Sequence, residues 1–453
     1  DCREEFRVLW LVANNPEGLE FDLRKFDGQL AAYDKRIAAV GEALRTGNLS
    51  PAESLELTSR SRRAGIPVTR GDVAAGGTWI GEDWPYRLPL RLEAGDVDRP
   101  IMPVMLQLNL GALVGEAVDA ASVRAVIDGT AYQAQVVPLW TSEGIEPEAG
   151  VAFILPRPLA KGQTLEAELY WRPRSRAADQ ALEPMATDLK VTAEIARSEA
   201  AGGPRRLDEA AVRQASLEEA SWDDAVVWIE NSRMRIMLGS EGAHLYEWKV
   251  KALGERDITQ PGTQGWAGFL DLNWVRETPF RLRPLAVGPV VAMIQATEEG
   301  GSEKGVTVYA GLPVVEMRLA EPTTWMWNYD KADNFAADSS TPGWARLADG
   351  TEAPVPKSGE QVHVTPGKGV RWGVKFRDDG LTLGLITPAA DCNIRVGPGG
   401  SWGGVGIEQS AGTDWFVTYC DVTEGTWQAV AVLAEALRPD KALRAVVGAL
   451  EKR

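Results

Sequence analysis

Histidine is nearly missing from this chain. Two stand in 453 residues, His244 and His363, so no Cys/His spacing for a zinc site exists. Cysteine is scarce as well: Cys2, Cys392 and Cys420. A bond between Cys392 and Cys420 would leave Cys2 over, and three thiols build no disulfide framework. Positive charge is in deficit, with 48 Lys and Arg against 64 Asp and Glu and a formal net charge of -16. A nucleic-acid backbone or an anionic lipid surface repels such a chain at long range, so neither is expected as a partner. No apolar run reaches the ~18 residues of a membrane helix. No charged n-region followed by an apolar h-region is visible either. The start at Asp1 without Met is read as that of a mature exported chain, which makes the expected location extracellular or periplasmic.

What is abundant is tryptophan: 17, against 8 Tyr and 9 Phe. A buried indole needs a partner for its N–H, so Trp is a costly filler. The excess suits stacking against the flat C–H faces of sugar rings. For any single Trp, a place in a large β core is the plainer reading. The clusters are where a ligand is expected. With a hydrophobic fraction of 44% the chain can bury a real core, and its length suggests two or three domains.

Patterning divides the chain into four stretches. Over residues 1–83 a helical segment is expected. In "FDGQLAAYDKRIAAVGEALRTG" Leu30, Tyr33, Ile37, Val40 and Leu44 recur at three- and four-residue spacing. A second helix follows, with Ser50 as N-cap, Pro51 at the first position and Glu53 three residues after the cap. This pair forms a helical hairpin, a conceivable arm for oligomerisation. Residues 84–172 are short alternating runs such as "PYRLPLRLEAG" and "QTLEAELYWRP" parted by Gly, Pro and Asp, the signature of a small antiparallel β-sandwich. Residues 173–221, rich in Ala, Glu and Arg, read as a partly helical linker. From 222 to 453 β patterning returns, with a hairpin signal in "FRDDGLTLG" and a closing helix in "DKALRAVVGALEKR".

The stretch "IENSRMRIMLGSEGAHLYEWKVKALGERDIT" resembles the opening hairpin of galactose-mutarotase-like supersandwich domains, found in aldose epimerases, polysaccharide lyases and accessory parts of glycoside hydrolases. The expected fold class is therefore mainly β: an N-terminal helical hairpin, a small antiparallel β-sandwich and a large C-terminal galactose-mutarotase-like supersandwich. The resemblance implies a carbohydrate partner. "GGVGIEQS" is similar to the segment carrying the catalytic glutamate of mutarotases, which assigns that place to Glu408. "TTWMWNYD" resembles the segment that carries their catalytic histidine, and it offers Trp325, Trp327 and Asn328 instead. Mutarotase chemistry is therefore not expected.

Two clusters combine rings with carboxylates and amides, as a sugar with adjacent hydroxyls requires. One holds Trp266, Asp271, Asn273, Trp274 and Arg276; the other Trp325, Trp327, Asn328, Tyr329, Asp330, Asp333 and Asn334. The candidate substrate-binding residues are Trp248, Trp266, Trp274, Trp325, Trp327, Asn328 and Trp402. Glycoside hydrolysis needs two carboxylates about 5 to 10 Å apart, for which Asp271, Asp330 and Glu408 are candidates. A lyase needs a base and a cation, for which Tyr329 or Tyr246 and Arg276 would serve. In a chain with 64 acids, each of these is equally readable as surface charge. Asp330, Asp333, Asn334 and Asp338 offer oxygens to Ca²⁺ but lack the spacing of a calcium loop, and a solvated loop is the plainer reading. No cofactor and no metal is expected. "GPGGSWGGVG" lacks the Lys and Ser/Thr of a phosphate loop; its glycines suit a tight turn near Glu408. Two functions stay open: a protein that cleaves or modifies a polysaccharide, and a non-catalytic glycan-binding or structural cell-surface protein.

Overall fold

Leu88, Leu90 and Leu92 alternate with Arg87, Pro89 and Arg91, and the leucines are fully enclosed. That period of two is what one wall of a barrel requires. The computed structural model describes residues 64–141, 144–176, 182, 186–196, 204–258, 269–271, 279–298, 303–329, 343–355, 372–377, 380–388, 394–397, 404–422 and 427–453. The chain divides into two compact units, Asp1–Arg62 and Arg63–Arg453, and the described residues belong to the second. The helical hairpin expected over residues 26–65 falls almost wholly outside them, and the helical segment expected to run to residue 83 is corrected over 64–83, which holds the strand Ile66–Arg70 and no helix.

The first seven strands are β1 (Ile66–Arg70), β2 (Tyr86–Glu93), β3 (Pro103–Gln107), β4 (Arg124–Ile127), β5 (Thr130–Thr141), β6 (Gly144–Ile154) and β7 (Thr164–Trp171), with a short helix α1 (Leu110–Val114). They follow one another as β1-β3-β6-β5-β4-β7-β2. Arg444–Val447, from the far end of the chain, pairs parallel with β1 and antiparallel with β2, which closes the ring into an eight-strand barrel. Leu88, Leu90, Phe153, Leu169 and Trp171 are among the side chains buried in it. Eight strands leave an interior that side chains just fill. The small β-sandwich expected over 84–172 is thus corrected to a closed barrel. Its last gap is filled by segments lying outside that range, and pairing removes the edges that a sandwich would leave.

The second body begins inside the stretch read as a linker, which supplies β8 (Lys190–Ile195), β9 (Arg205–Leu207) and α2 (Glu209–Leu217). Asp208 caps α2, accepting 2.9 Å from the Ala211 N–H. Then come β10 (Ala225–Glu230), β11 (Met234–Gly239), β12 (Leu245–Val250), β13 (Arg256–Asp257), β14 (Phe269–Asp271), β15 (Phe280–Val287), β16 (Val291–Glu298) and β17 (Glu303–Tyr309). The series ends with β18 (Val314–Tyr329), β19 (Gly343–Leu347), β20 (Glu352–Val355), β21 (Trp372–Arg377), β22 (Leu381–Ile386), β23 (Ile394–Gly397) and β24 (Gly404–Val422). Helix α3 (Trp427–Ala436) leads to β25 (Arg444–Val447) and β26 (Glu451–Lys452). The closing helix expected in "DKALRAVVGALEKR" is therefore corrected to strands: Ala445 and Val447 are buried while Arg444 and Val446 are less so, the alternation of a barrel stave.

β8 to β24 form one seventeen-stranded sheet rather than the two separate sheets of the expected supersandwich. Two long strands cause this. β18 has 16 residues and β24 has 19, and they pair along most of their length with register shifts after Arg318 and Thr323. The first part of β18 also pairs with β17 and its last part with β14, so the ladder passes from one half of the sheet to the other. The halves bury a shared core in which Val227, Ile236 and Leu238 join Ile294, Val306, Met317 and Phe416. On the opposite face Val291, Met293, Val417 and Tyr419 belong to one apolar cluster with the barrel and with Val430 and Leu433 of α3.

Gln135 of β5 fastens the barrel to the sheet. Its Oε1 accepts from the Val290 and Val291 N–H groups at 3.1 and 2.9 Å, and its Nε2 donates to the Val291 carbonyl at 3.1 Å. Arg99 fastens the C-terminal return. Its buried guanidinium donates to the carbonyls of Ala94, of Ala436 at the end of α3, and of Lys441.

Candidate functional site

The second aromatic cluster of the sequence falls on the long ladder. Trp325 is the register partner of Glu408, Trp327 of Gly406, Asn328 of Val405 and Tyr329 of Gly404. On the other side of β18, Leu270 partners Trp327 and Asp271 partners Met326. β14, β18 and β24 therefore bring Asp271, Trp325, Trp327 and Glu408 onto neighbouring rungs of three adjacent strands. Rungs have a period of two. Trp325, Trp327 and Glu408 share one parity, whereas Asp271 stands on the row of Met326 and Ile407, one rung out of phase with Glu408. Glycines at 404 and 406 keep the strand opposite Tyr329 and Trp327 free of side chains.

Trp266, Asn273, Trp274, Arg276, Asp330, Asp333, Asn334, Asp338 and Trp402 lie outside the described residues. Trp248 is placed in the core of the sheet, with none of its surface exposed. Its row explains this: Trp248 pairs with Ile236 on β11, and both point into the cluster that the two halves share. Tyr246 stacks obliquely on His244, 6.2 Å between centroids, and donates 2.8 Å to the Glu241 carbonyl. Cys420 is buried in β24, and Cys392 lies outside the described residues. Among the described residues no group of three or more His, Cys, Asp or Glu side chains is arranged to hold a metal ion, and no helix is long and apolar enough to cross a membrane.

A further polar cluster, unforeseen from the sequence, lies where the barrel meets the sheet. Glu316 and Arg318 alternate on β18, and Arg318 Nε donates 2.6 Å to Glu316 Oε1. Tyr309 donates 2.6 Å to Glu316 Oε2. Burial, and then Glu316, pushes the Tyr309 hydroxyl well above its ordinary range, so it stays protonated as the donor. The Arg318 guanidinium lies 4.2 Å from the ring centre of Trp415, its register partner. Trp140 of β5 rests on Gly305, where an added Cβ would stand 3.0 Å from the ring. Ala64, Met105 and Trp140 face Gly305, Thr307, Glu316 and Arg318 across a narrow cleft. The only signal in the sequence was a Glu and an Arg two apart in the otherwise apolar start of β18, residues 314–320.

A third set of polar groups covers the outside of the barrel. Glu168 Oε1 accepts from the Gly76 and Gly77 N–H groups at 3.0 and 3.3 Å, and Oε2 accepts from Tyr170 at 2.6 Å. Arg87 lies 4.5 Å from the Trp79 ring centre and donates 2.8 Å to the Gly77 carbonyl. These contacts hold the segment before β2 against the barrel wall.

No family model matches the chain, and no curated protein matches it. Among solved structures it is similar to a family 81 glycoside hydrolase from Clostridium thermocellum, with 15% identity, a TM-score of 0.26, and coverage of 46% of this chain and 24% of that one. It is also similar to an alpha-mannosidase from Enterococcus faecalis, with 8% identity, a TM-score of 0.44, and coverage of 82% of this chain and 47% of that one. A third likeness is to the periplasmic domain of Thermotoga maritima YidC, with 11% identity, a TM-score of 0.25, and coverage of 46% of this chain and 93% of that one. The chain thus spans less than half the length of the first two.

Proposed function

We propose that this is a carbohydrate-active protein that holds a polysaccharide on the β14–β18–β24 part of its C-terminal sheet. One observation carries the reading: Trp325 and Glu408 are register partners, with Trp327 two rungs along. A stacking ring beside a hydrogen-bonding carboxylate is the arrangement that a sugar ring with its equatorial hydroxyls needs. Gly404 and Gly406 leave room for a chain to approach the strand. In this reading Glu408 contacts the sugar, and Trp325 and Trp327 supply the platform. An extracellular or periplasmic location fits such a substrate.

A second reading, binding without cleavage, is favoured by the one-rung offset between Asp271 and Glu408. A hydrolytic pair has to converge on one glycosidic oxygen, and residues of opposite parity on a flat ladder leave opposite faces. Incubation with a panel of neutral and acidic polysaccharides, following both chain length and retention, separates the two. Chains shortened by the native protein and left intact by Glu408→Gln make it an enzyme. Retention with no shortening makes it a binding protein. Neither effect on a broad panel removes the carbohydrate reading.

A further inference from the structure

Trp344 on β19 is 43% exposed, which is unusual for so large an apolar ring. It does not stand alone. Its register partners are Pro354 on β20 and Phe376 on β21, so the three form one row across adjacent strands. Pro354 is exposed and Phe376 half-buried. With strands about 4.8 Å apart, the row is a flat apolar bar roughly 10 Å long. The next row carries Arg346 and Glu352, paired at 2.7 Å. The Arg346 guanidinium also lies 4.8 Å from the ring centre of Trp427. Arg346 is thus committed on two sides, and the charge beside the bar is neutralised.

We propose that this row is a second glycan platform, carried by β19, β20 and β21 and specific for neutral sugars. The proposal rests on the carbohydrate reading given above. A row of apolar rings suits the C–H faces of pyranoses laid end to end, and the Arg346–Glu352 pair at its margin offers hydrogen bonds to ring hydroxyls. An acidic chain is disfavoured twice: the one arginine at the bar is already paired, and the protein carries a net charge of -16. A protein partner fits less well. One row of three side chains, at about 150–250 Å² for each aromatic, falls well short of the ~800 Å² that each side of a stable interface buries. Strand addition by a second copy is opposed by Pro354, which lacks an N–H, on a strand whose only partner among the described residues is β19.

The test is affinity electrophoresis in gels holding a neutral β-glucan, a neutral mannan or polygalacturonate, with native protein, Trp344→Ala, Phe376→Ala and Trp325→Ala. Light scattering of each variant runs alongside. Retardation by a neutral glycan is expected, weakened about tenfold by Trp344→Ala and less by Phe376→Ala, with no added retardation by polygalacturonate. Because Trp344 is exposed, its loss leaves the far-ultraviolet spectrum unchanged, and a folded Trp344→Tyr that keeps part of the retardation supports stacking. Unchanged retardation of Trp344→Ala, when Trp325→Ala is weakened, overturns the platform and leaves the ladder standing. No retardation of the native protein in any gel overturns both. A change of mass in Trp344→Ala assigns the row to a protein interface and overturns the platform as well.

Discussion

Trp325 and Glu408 are register partners on β18 and β24, the two longest strands among the described residues. This sets positions 325 and 408 on one rung although 83 positions separate them in the sequence. If they hold one sugar together, their losses are not independent. Trp325→Ala is expected to weaken glycan retention about tenfold, near 1.4 kcal/mol. Glu408→Gln, which keeps the shape and removes the charge, is expected to weaken it less. A double-mutant cycle followed by affinity electrophoresis checks this, since residues sharing a ligand fail to add.

Arg99 is the anchor of the C-terminal return. It is 1% exposed and donates to three carbonyls, of which Ala436 ends α3 and Lys441 lies in the connection from α3 to β25. Arg99→Met removes the donors and leaves buried carbonyls without partners, at a cost on the order of 3 kcal/mol. Arg99→Lys, whose single ammonium cannot span the same fork, recovers only part of it. Urea unfolding midpoints at constant slope measure both. Because β25 closes the barrel, loosened protection of the β1 and β2 amides in hydrogen exchange is expected together with the lower midpoint.

Gln135 joins the barrel to the sheet through three hydrogen bonds to the β15–β16 turn. Gln135→Leu keeps the volume and orphans two buried N–H groups, for an expected loss of about 2–4 kcal/mol. The same contact explains Gly288, where an added Cβ would stand 2.4 Å from Gln135 Cδ. Gly288→Ala is therefore expected to destabilise, and far less so when Gln135→Ala is also present. Denaturant titration of the two single variants and the pair tests it.

Tyr170 supplies a pH prediction. Burial, then its hydrogen bond to Glu168, pushes the phenol up to about 12. An unfolded tyrosine ionises near 10, so the native state holds this proton longer. The corresponding stability is present below about pH 10 and is lost as pH rises through about 12. Tyr170→Phe is expected to flatten that alkaline fall. Stability measured at stepped pH, with ultraviolet difference absorbance to follow the phenolate, decides the matter.

Local patterns were legible where one strand or one turn is enough. The leucines of β2 announce a strand with one buried face, and "FRDDGLTLG" marks the β21–β22 hairpin, whose Gly380 takes a φ of +90°. What failed needed information from far along the chain. "DKALRAVVGALEKR" reads as a closing helix, yet the segment is drawn into the gap between β1 and β2, where an open barrel edge outweighs local preference. Trp248 reads as a stacking ring by its type alone and is core by its row. The Tyr309–Glu316–Arg318–Trp415 cluster could not be assembled from the Glu–Arg alternation alone, because its members sit on three strands and meet only through register. The register of Trp325 with Glu408 was likewise unreadable, although both residues stood out by type.

The most direct test of the ladder is isothermal titration of one retained oligosaccharide into native protein, Trp325→Ala and Trp248→Tyr. Binding weakened about tenfold in Trp325→Ala, with affinity kept in a folded Trp248→Tyr, is the outcome the carbohydrate reading requires. Equal affinity of Trp325→Ala and native protein would contradict it, because the ring that partners Glu408 would then take no part in holding the sugar.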